Sequence, residues 1–483
     1  MNKTRWGGLL GAAALLLGCA ACGTPAPGKS GPPQTTLSAA ATEPTAGEAA
    51  DAAQTTDAVR TTETVRTIQN STEPATTMSK ATRTAVTVHD DMTGQPPGRL
   101  RGLEPAAALS NDFAAGYDAF ALEFMQRAQL EGQNGFVSPA SVYLALGMVT
   151  NGAAGKTAEE LYAALGVSDG SALNRGCRDL QSRLNEKQFR LANGIWVNQK
   201  MASDILPAFT AVNREYFGAR LAAGSFDDAL QKEINLWVWG NTAGRIRDLL
   251  KEPLNPDGLM VLVNTLLFEG QWEEPFPEPQ AGTFHGAQEA VTLPLMHTSR
   301  IGAPYYEDDE VQATRLAFAE ADASMLFVLP KEEGTAVLDR WFRSLTAKEL
   351  RTVAQCGDKA ARLNLTVPKC RLSYDGELND VLQAMGIQAA FRQGQADFSR
   401  MADGKSGLEP YMERVIHRTE LEMDEKGVLA ASAAAVLMTA ASARPNPDEV
   451  KTICLDRPFF CALVDDVTGA VLFGGMVNQP QAV

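Results

Sequence analysis

Between Trp6 and Phe113 the chain contains no Phe, Trp or Tyr. Aromatic side chains bring the largest apolar areas into a core, and a stretch without them cannot bury enough surface to offset the entropy of ordering its backbone. A packed fold is therefore confined to the last ~375 residues, more than one minimal domain needs. Residues 23–107 are rich in Thr, Ala, Ser, Pro and Gly with scattered charge, the composition of a disordered tether. Within it only residues 84–88 alternate like a strand.

Ahead of the tether, Lys3 and Arg5 precede the apolar run 9–17, and small residues follow. That order is the one of an export signal, and the run is too short to span a bilayer. Leu16-Leu17-Gly18-Cys19 resembles the bacterial lipobox, in which the cysteine is diacylated and becomes the new N-terminus. Cys22 is the alternative lipid site, and simple secretion after a cut near Ala21 is a third reading. The expected organisation is a signal peptide over 1–22, a tether over 23–107 and a globular domain over 108–483. Acyl chains would hold the exported protein on the outer face of a bacterial membrane through buried methylenes.

Charge and cysteine usage exclude several classes. With 43 Lys+Arg against 58 Asp+Glu the net charge is −15, and without a basic run the chain has no means of neutralising nucleic-acid phosphates. The core cysteines Cys177, Cys356, Cys370, Cys454 and Cys461 are odd in number and form no Cys-x-x-Cys. They read as small buried hydrophobes, although an exported compartment permits a Cys356 to Cys370 bridge. His89, His285, His297 and His417 show no helical pairing, so neither metal nor cofactor is expected. Gly152 to Thr157 fails as a phosphate loop because Thr150 stands where the first glycine belongs; Thr157 with Glu160 reads as a capping box. Gly404-Lys405-Ser406-Gly407 lacks the spacing of a nucleophile elbow, and the chain is not expected to be an enzyme.

The globular part opens with Phe113, Tyr117, Phe120 and Phe124 at helical spacing behind the polar Ser110-Asn111-Asp112. A turn through Asn134 and Gly135 then enters a second helix. Strands are predicted over 191–197, 259–268, 313–318, 325–329, 362–372 and 415–423, a helix over 234–250, and a terminal hairpin over 459–464 and 470–477. Mixed order without regular βαβ spacing predicts an α+β fold with antiparallel sheet. One segment resists this scheme. Between Lys426 and Arg444 lie seventeen uncharged residues, eight of them Ala, helical by propensity yet placed as a link between two strands. Read instead as a loop able to enter a sheet, it carries Val428, Ala430, Ser432 and Ala434 on one face, all small enough to pass into a core.

Residues from about 108 to 483 resemble a serpin throughout. The resemblance rests on Phe136-Val137-Ser138-Pro139-Ala140-Ser141, Asn193-Gly194-Ile195-Trp196-Val197, Val263-Asn264-Thr265-Leu266-Leu267-Phe268 with Gln271-Trp272, Val367-Pro368-Lys369, Glu425-Lys426-Gly427, Arg457-Pro458-Phe459 and Leu472-Phe473-Gly474-Gly475. It implies three β-sheets, about nine helices and an exposed reactive-centre loop. It further implies a suicide-substrate inhibitor whose loop acylates a serine protease and, once cut, inserts as a strand into the main sheet. About fifteen inserted residues at ~3.3 Å each would carry the protease on the order of 50 Å.

Residue roles follow from the resemblance. Glu425, Gly427, Val428, Ala430, Ala431 and Ser432 form the loop hinge, and Trp272, Lys369 and Glu425 the point where the sheet first opens. Ser138, Ser141, Asn264 and His417 form a polar cluster under the sheet centre that rearranges as strands part. Counting seventeen positions from Glu425 places the reactive bond between Ala441 and Ser442, which suits an elastase-like or subtilisin-like pocket; Arg444 is obstructed by Pro445. Residues 442–458 run longer than usual in the family, so the bond is free to lie one to three residues either way. Val428 and Leu429 also stand where Thr and Glu are common. The partners implied are a serine protease, or a cysteine protease, and a membrane reached through the lipid, for a monomer. The alternative is a non-inhibitory binding or carrier protein on the same fold, which a charge or Pro within 428–434 would have favoured; none is there.

Overall fold

A computed structural model describes residues 98–129, 132–184, 186–428 and 450–481. The expectations for Cys19, Cys22, Ala430, Ala431, Ser432, Ala441 and Ser442 lie outside the described residues. The domain opens with α1 (Asn111–Ala128), β1 (Gly135–Val137), α2 (Pro139–Thr150), α3 (Gly155–Leu165) and α4 (Gly170–Ser182). Next come β2 (Phe189–Asn198), α5 (Pro207–Phe217), β3 (Arg220–Gly224) and α6 (Asp228–Asn241). A run of strands follows: β4 (Met260–Phe268), β5 (Gly270–Gln271), β6 (Gln280–His285), β7 (Ala290–Glu307), β8 (Val311–Ala317) and β9 (Ala323–Pro330). Helices α7 (Thr335–Ser344) and α8 (Ala347–Gln355) precede β10 (Asp358–Pro368) and β11 (Cys370–Glu377). Then α9 (Asn379–Ala384) leads to β12 (Ile416–Met423) and β13 (Gly427–Val428). The last strands are β14 (Val450–Cys454), β15 (Phe459–Asp465) and β16 (Val471–Val477).

The strands form three sheets, so the α+β expectation holds with nine α-helices among the described residues. Nine strands make the largest sheet, in the order β1-β16-β15-β9-β8-β7-β10-β14 with β6 on β7. A second sheet runs β11-β12-β13-β5 and a third β3-β2-β4. β9, β15 and β16 are buried along their whole length, as strands covered on both faces must be. Helix α2 is buried all round because it carries no charge and few polar groups. Its start is fixed by Ser138, whose Oγ accepts the Ser141 N–H at 3.1 Å, and by Pro139 in the first turn. Phe113, Tyr117 and Phe120 of α1 meet the ring of Tyr143 edge-on at 5.1–5.5 Å between centroids, which seats α1 across α2.

Four expectations are corrected. The helix predicted over 234–250 stops at Asn241: the Thr242 hydroxyl donates to the Val238 carbonyl and accepts the Ile246 N–H, and Ala243 and Gly244 turn left-handed. The strand predicted over 362–372 is two strands. After Pro368, which has no N–H to give, Lys369 donates its N–H to the Pro294 carbonyl and the chain passes from the nine-stranded sheet into the one holding β11. Thr157 and Glu160 do not cap their own helix; Thr157 Oγ1 accepts the Asp397 N–H, and Glu160 accepts those of Gln388 and Ala389. Residues 98–107, assigned by composition to the tether, lie against the domain: Gly98 accepts the Asn193 N–H at 2.6 Å, and the Arg99 guanidinium donates to the Leu184 and Phe189 carbonyls. The five core cysteines are free, Cys356 and Cys370 included.

Candidate functional site

β4 and β12 lie side by side but belong to different sheets, with no ladder joining them. At one end β13 lies between β12 and β5, the short strand that follows β4 in the chain: Val428 pairs with Met423 of β12, while Gly427 and Val428 pair with Gln271 and Gly270 of β5. Toward the far ends of β4 and β12, a cavity of about 240 Å³ opens, lined by Leu250, Leu254, Met260, Leu262, Gly376 and Ile416. The half-sheets thus flank a slot closed at one end by two residues. Those two residues begin the uncharged segment, and Val428 is already buried, at 1% exposure.

Around β13 the chain is held by several groups at once. The Lys369 ammonium donates to Glu425 Oε2 at 2.9 Å, with about a fifth of each side chain exposed. Each partner stabilises the other's charge through that bond, raising the Lys369 pKa and lowering that of Glu425. Lys369 is placed there by the crossover between sheets, because Cys370 pairs with Met423, two residues before Glu425. Trp272 donates its backbone N–H to the Lys426 carbonyl and its indole N–H to that of Asp424, both at 2.9 Å. The Phe276 N–H donates to the Glu425 carbonyl at 2.8 Å. The Trp272 ring is itself fixed, stacked on Phe318 at 4.6 Å. Lys369, Glu425 and the Trp272 side chain are therefore brought together around β13.

Beneath the slot, the start of α2 stitches all three sheets together. Ser138 N–H donates to His417 Nε2 on β12 at 3.0 Å, and Ser138 Oγ donates to the Leu472 carbonyl on β16 at 2.8 Å. Ser141 Oγ donates to Asn264 Oδ1 on β4, and Asn264 passes the chain on to Asn193 Oδ1 on β2 at 2.5 Å. His417 is wholly enclosed, so desolvation pushes its pKa down to about 3 and the imidazole is neutral. Ser138 and His417 hold one side of the slot while Ser141 and Asn264 hold the other. Parting β4 from β12 must strain this cluster. Sequence reasoning missed three members of the site: Asn193, Thr419, whose Oγ1 donates to the Phe136 carbonyl, and Asp424 in the turn before β13. Asn193 and Asp424 stand within or beside motifs already singled out, but one-dimensional spacing says nothing of which carbonyl they reach.

The chain is similar to known proteins in sequence and in fold. A family model described as Serpin (serine protease inhibitor) matches residues 115–480. An uncharacterized serpin-like protein of Thermococcus kodakarensis is 29% identical over 375 residues, covering 75% of this chain and 85% of its own. Among solved structures, a thermophilic serpin, tengpin, in the native state is 25% identical with a TM-score of 0.69, covering 78% of this chain and 96% of that one. Human thyroxine-binding globulin complexed with thyroxine is 25% identical with a TM-score of 0.67, covering 76% and 98%.

Proposed function

The chain belongs to the serpin family, and from that premise we propose that it is a covalent suicide-substrate inhibitor of extracellular serine proteases that prefer a small residue. One observation carries the reading. Val428 faces Met423 across the β12–β13 hairpin, and extending that antiparallel register sets Ala430 opposite Leu421, Ser432 opposite Thr419 and Ala434 opposite His417. Leu421, Thr419 and His417 are the core-facing residues of β12. Directly opposed residues share a face, so the four small residues of the loop would be the ones to turn inward. A strand of this sequence fits the slot in the register that β13 has already begun.

Cleavage between Ala441 and Ser442 would leave the protease as an acyl-enzyme. The freed strand gains ladder hydrogen bonds on both edges, each contributing about 1 kcal/mol net, and drags the protease away before water attacks. Deformation of its oxyanion hole then blocks deacylation. Through this cycle Glu425, Lys369 and Trp272 guard the mouth of the slot, while Ser138, Ser141, Asn264 and His417 gate its centre. Export, with Cys19 or Cys22 lipidated and residues 23–97 spanning the distance to the membrane, would place the inhibitor where such proteases act. Small-ligand carriage, as in the thyroxine-binding globulin structure, is the second reading; the uncharged, Pro-free 428–434 stretch weighs against it.

The test is incubation with pancreatic elastase and with subtilisin, followed by denaturing gels and mass spectrometry. The expected result is a species of summed mass and a released peptide starting near Ser442. Ser432→Arg, which places a charge on the entering face, should convert inhibitor into substrate. Simple cleavage of the unmodified chain with full residual protease activity would leave the carrier reading.

A further inference from the structure

Asp424 closes the turn between β12 and β13 from four sides. Its Oδ1 accepts the N–H of Lys426 at 2.8 Å and that of Gly427 at 3.0 Å. Its own N–H donates to the Gly427 carbonyl at 2.9 Å, and its carbonyl accepts the Trp272 indole N–H. The neighbouring Glu425 carboxylate accepts from Lys369. A short acidic side chain bonded to backbone two and three residues ahead is the device that fixes a tight turn.

We infer that Asp424 is the positioning residue that sets, before any cleavage, the register in which the reactive loop enters the sheet. The inference rests on the inhibitory reading for its consequence but on the hinge geometry for its substance. Register decides everything downstream of the turn. A slip by one residue would direct Leu429, Ala431 and Ala433 inward and send Val428, Ala430, Ser432 and Ala434 to the other face, setting the bulkier Leu429 where a smaller residue must enter. Gly427 also has no freedom to adjust, since a Cβ there would meet the Gly270 carbonyl oxygen at 2.1 Å. With the hairpin closed and its first pair buried, insertion begins as elongation from a formed nucleus.

Three chains test this: wild type, Asp424→Ala, which removes the acceptor, and Asp424→Asn, which keeps one. The first measurement is amide exchange in the uncleaved protein. The Lys426 and Gly427 N–H groups should be protected in wild type and Asp424→Asn, and exchange at least about tenfold faster in Asp424→Ala. The second is the number of inhibitor molecules consumed per elastase inhibited, read beside the rate of acylation. Asp424→Ala should consume about fivefold more, because slower insertion lets hydrolysis win, while acylation stays unchanged and Asp424→Asn stays within about twofold of wild type. Open-chain exchange at Lys426 and Gly427 in the wild type would overturn the inference whether or not the protein inhibits. An inhibitory wild type matched by Asp424→Ala in stoichiometry would overturn it too. Protected amides in a wild type that forms no covalent species would instead sink the inhibitory reading and leave the turn standing.

Discussion

His417 carries the clearest pH signature at the scale of a single residue. Its imidazole accepts the Ser138 N–H, packs near Phe124 and Tyr374, and is driven by burial to a pKa of about 3. An unfolded histidine titrates near 6.5. Between pH 6.5 and about 3 the unfolded chain therefore binds a proton that the native state refuses, and stability falls as pH drops through that window. Above pH 6.5 both states are neutral and the contribution is complete. Glu307 behaves differently: hydrogen bonds from Lys331, Lys451 and Tyr305 lower it to about 2, so its stabilisation is lost only below about pH 4.5. Denaturant unfolding at pH 7.5 and pH 5 separates the two. Wild type should lose stability between these values, and His417→Gln, which keeps an acceptor but does not titrate, should lose distinctly less. Equal losses would assign the acid sensitivity to other groups.

At the scale of elements, β13 is two residues long yet holds β12 to β5, the strand that follows β4 in the chain, and its seat depends on Gly427. The carbonyl of Gly270 and the Cα of Gln271 stand where a Cβ would go, at 2.1 and 2.8 Å, and both are backbone that cannot swing aside. Gly427→Ala should therefore unseat β13 and cost about 2–4 kcal/mol in urea denaturation; a loss under about 0.5 kcal/mol would mean the strand is not held there. Elements of this kind mark the limit of what the sequence discloses. The strands over β2, β4, β9, β12, β15 and β16 were legible because apolar runs bounded by turn residues have one physical solution. The break of α6 at Thr242 was not, since it depends on a hydroxyl turning to its own backbone. The crossover at Lys369 escaped too, because β10 and β11 form one continuous β-favouring run whose change of sheet is dictated by partners far away in sequence.

For the whole molecule, the segment after Lys426 was legible as an anomaly: seventeen uncharged residues between strands, helical by propensity yet placed as a link. The slot that would receive it was not legible. Which half-sheets part, and where, follows from tertiary pairing of β12 and β5 with β13, a relation no local pattern encodes. The cluster of Ser138, Ser141, Asn264 and His417, drawn from three distant stretches of chain to one place under that slot, was reached only through the family resemblance and by no local pattern. On the inhibitory reading proposed above, they would belong to a fold one strand short of its most stable arrangement, with β13 as the start of the strand that completes it.

Thermal unfolding of the intact domain beside the same domain cut once in the 429–449 segment tests that description most directly. Filling the slot with the freed strand should raise the melting temperature by tens of degrees, on the order of the gain expected from about fifteen residues of new sheet and the core they complete. A cut protein that melts at or below the temperature of the intact one would contradict the account.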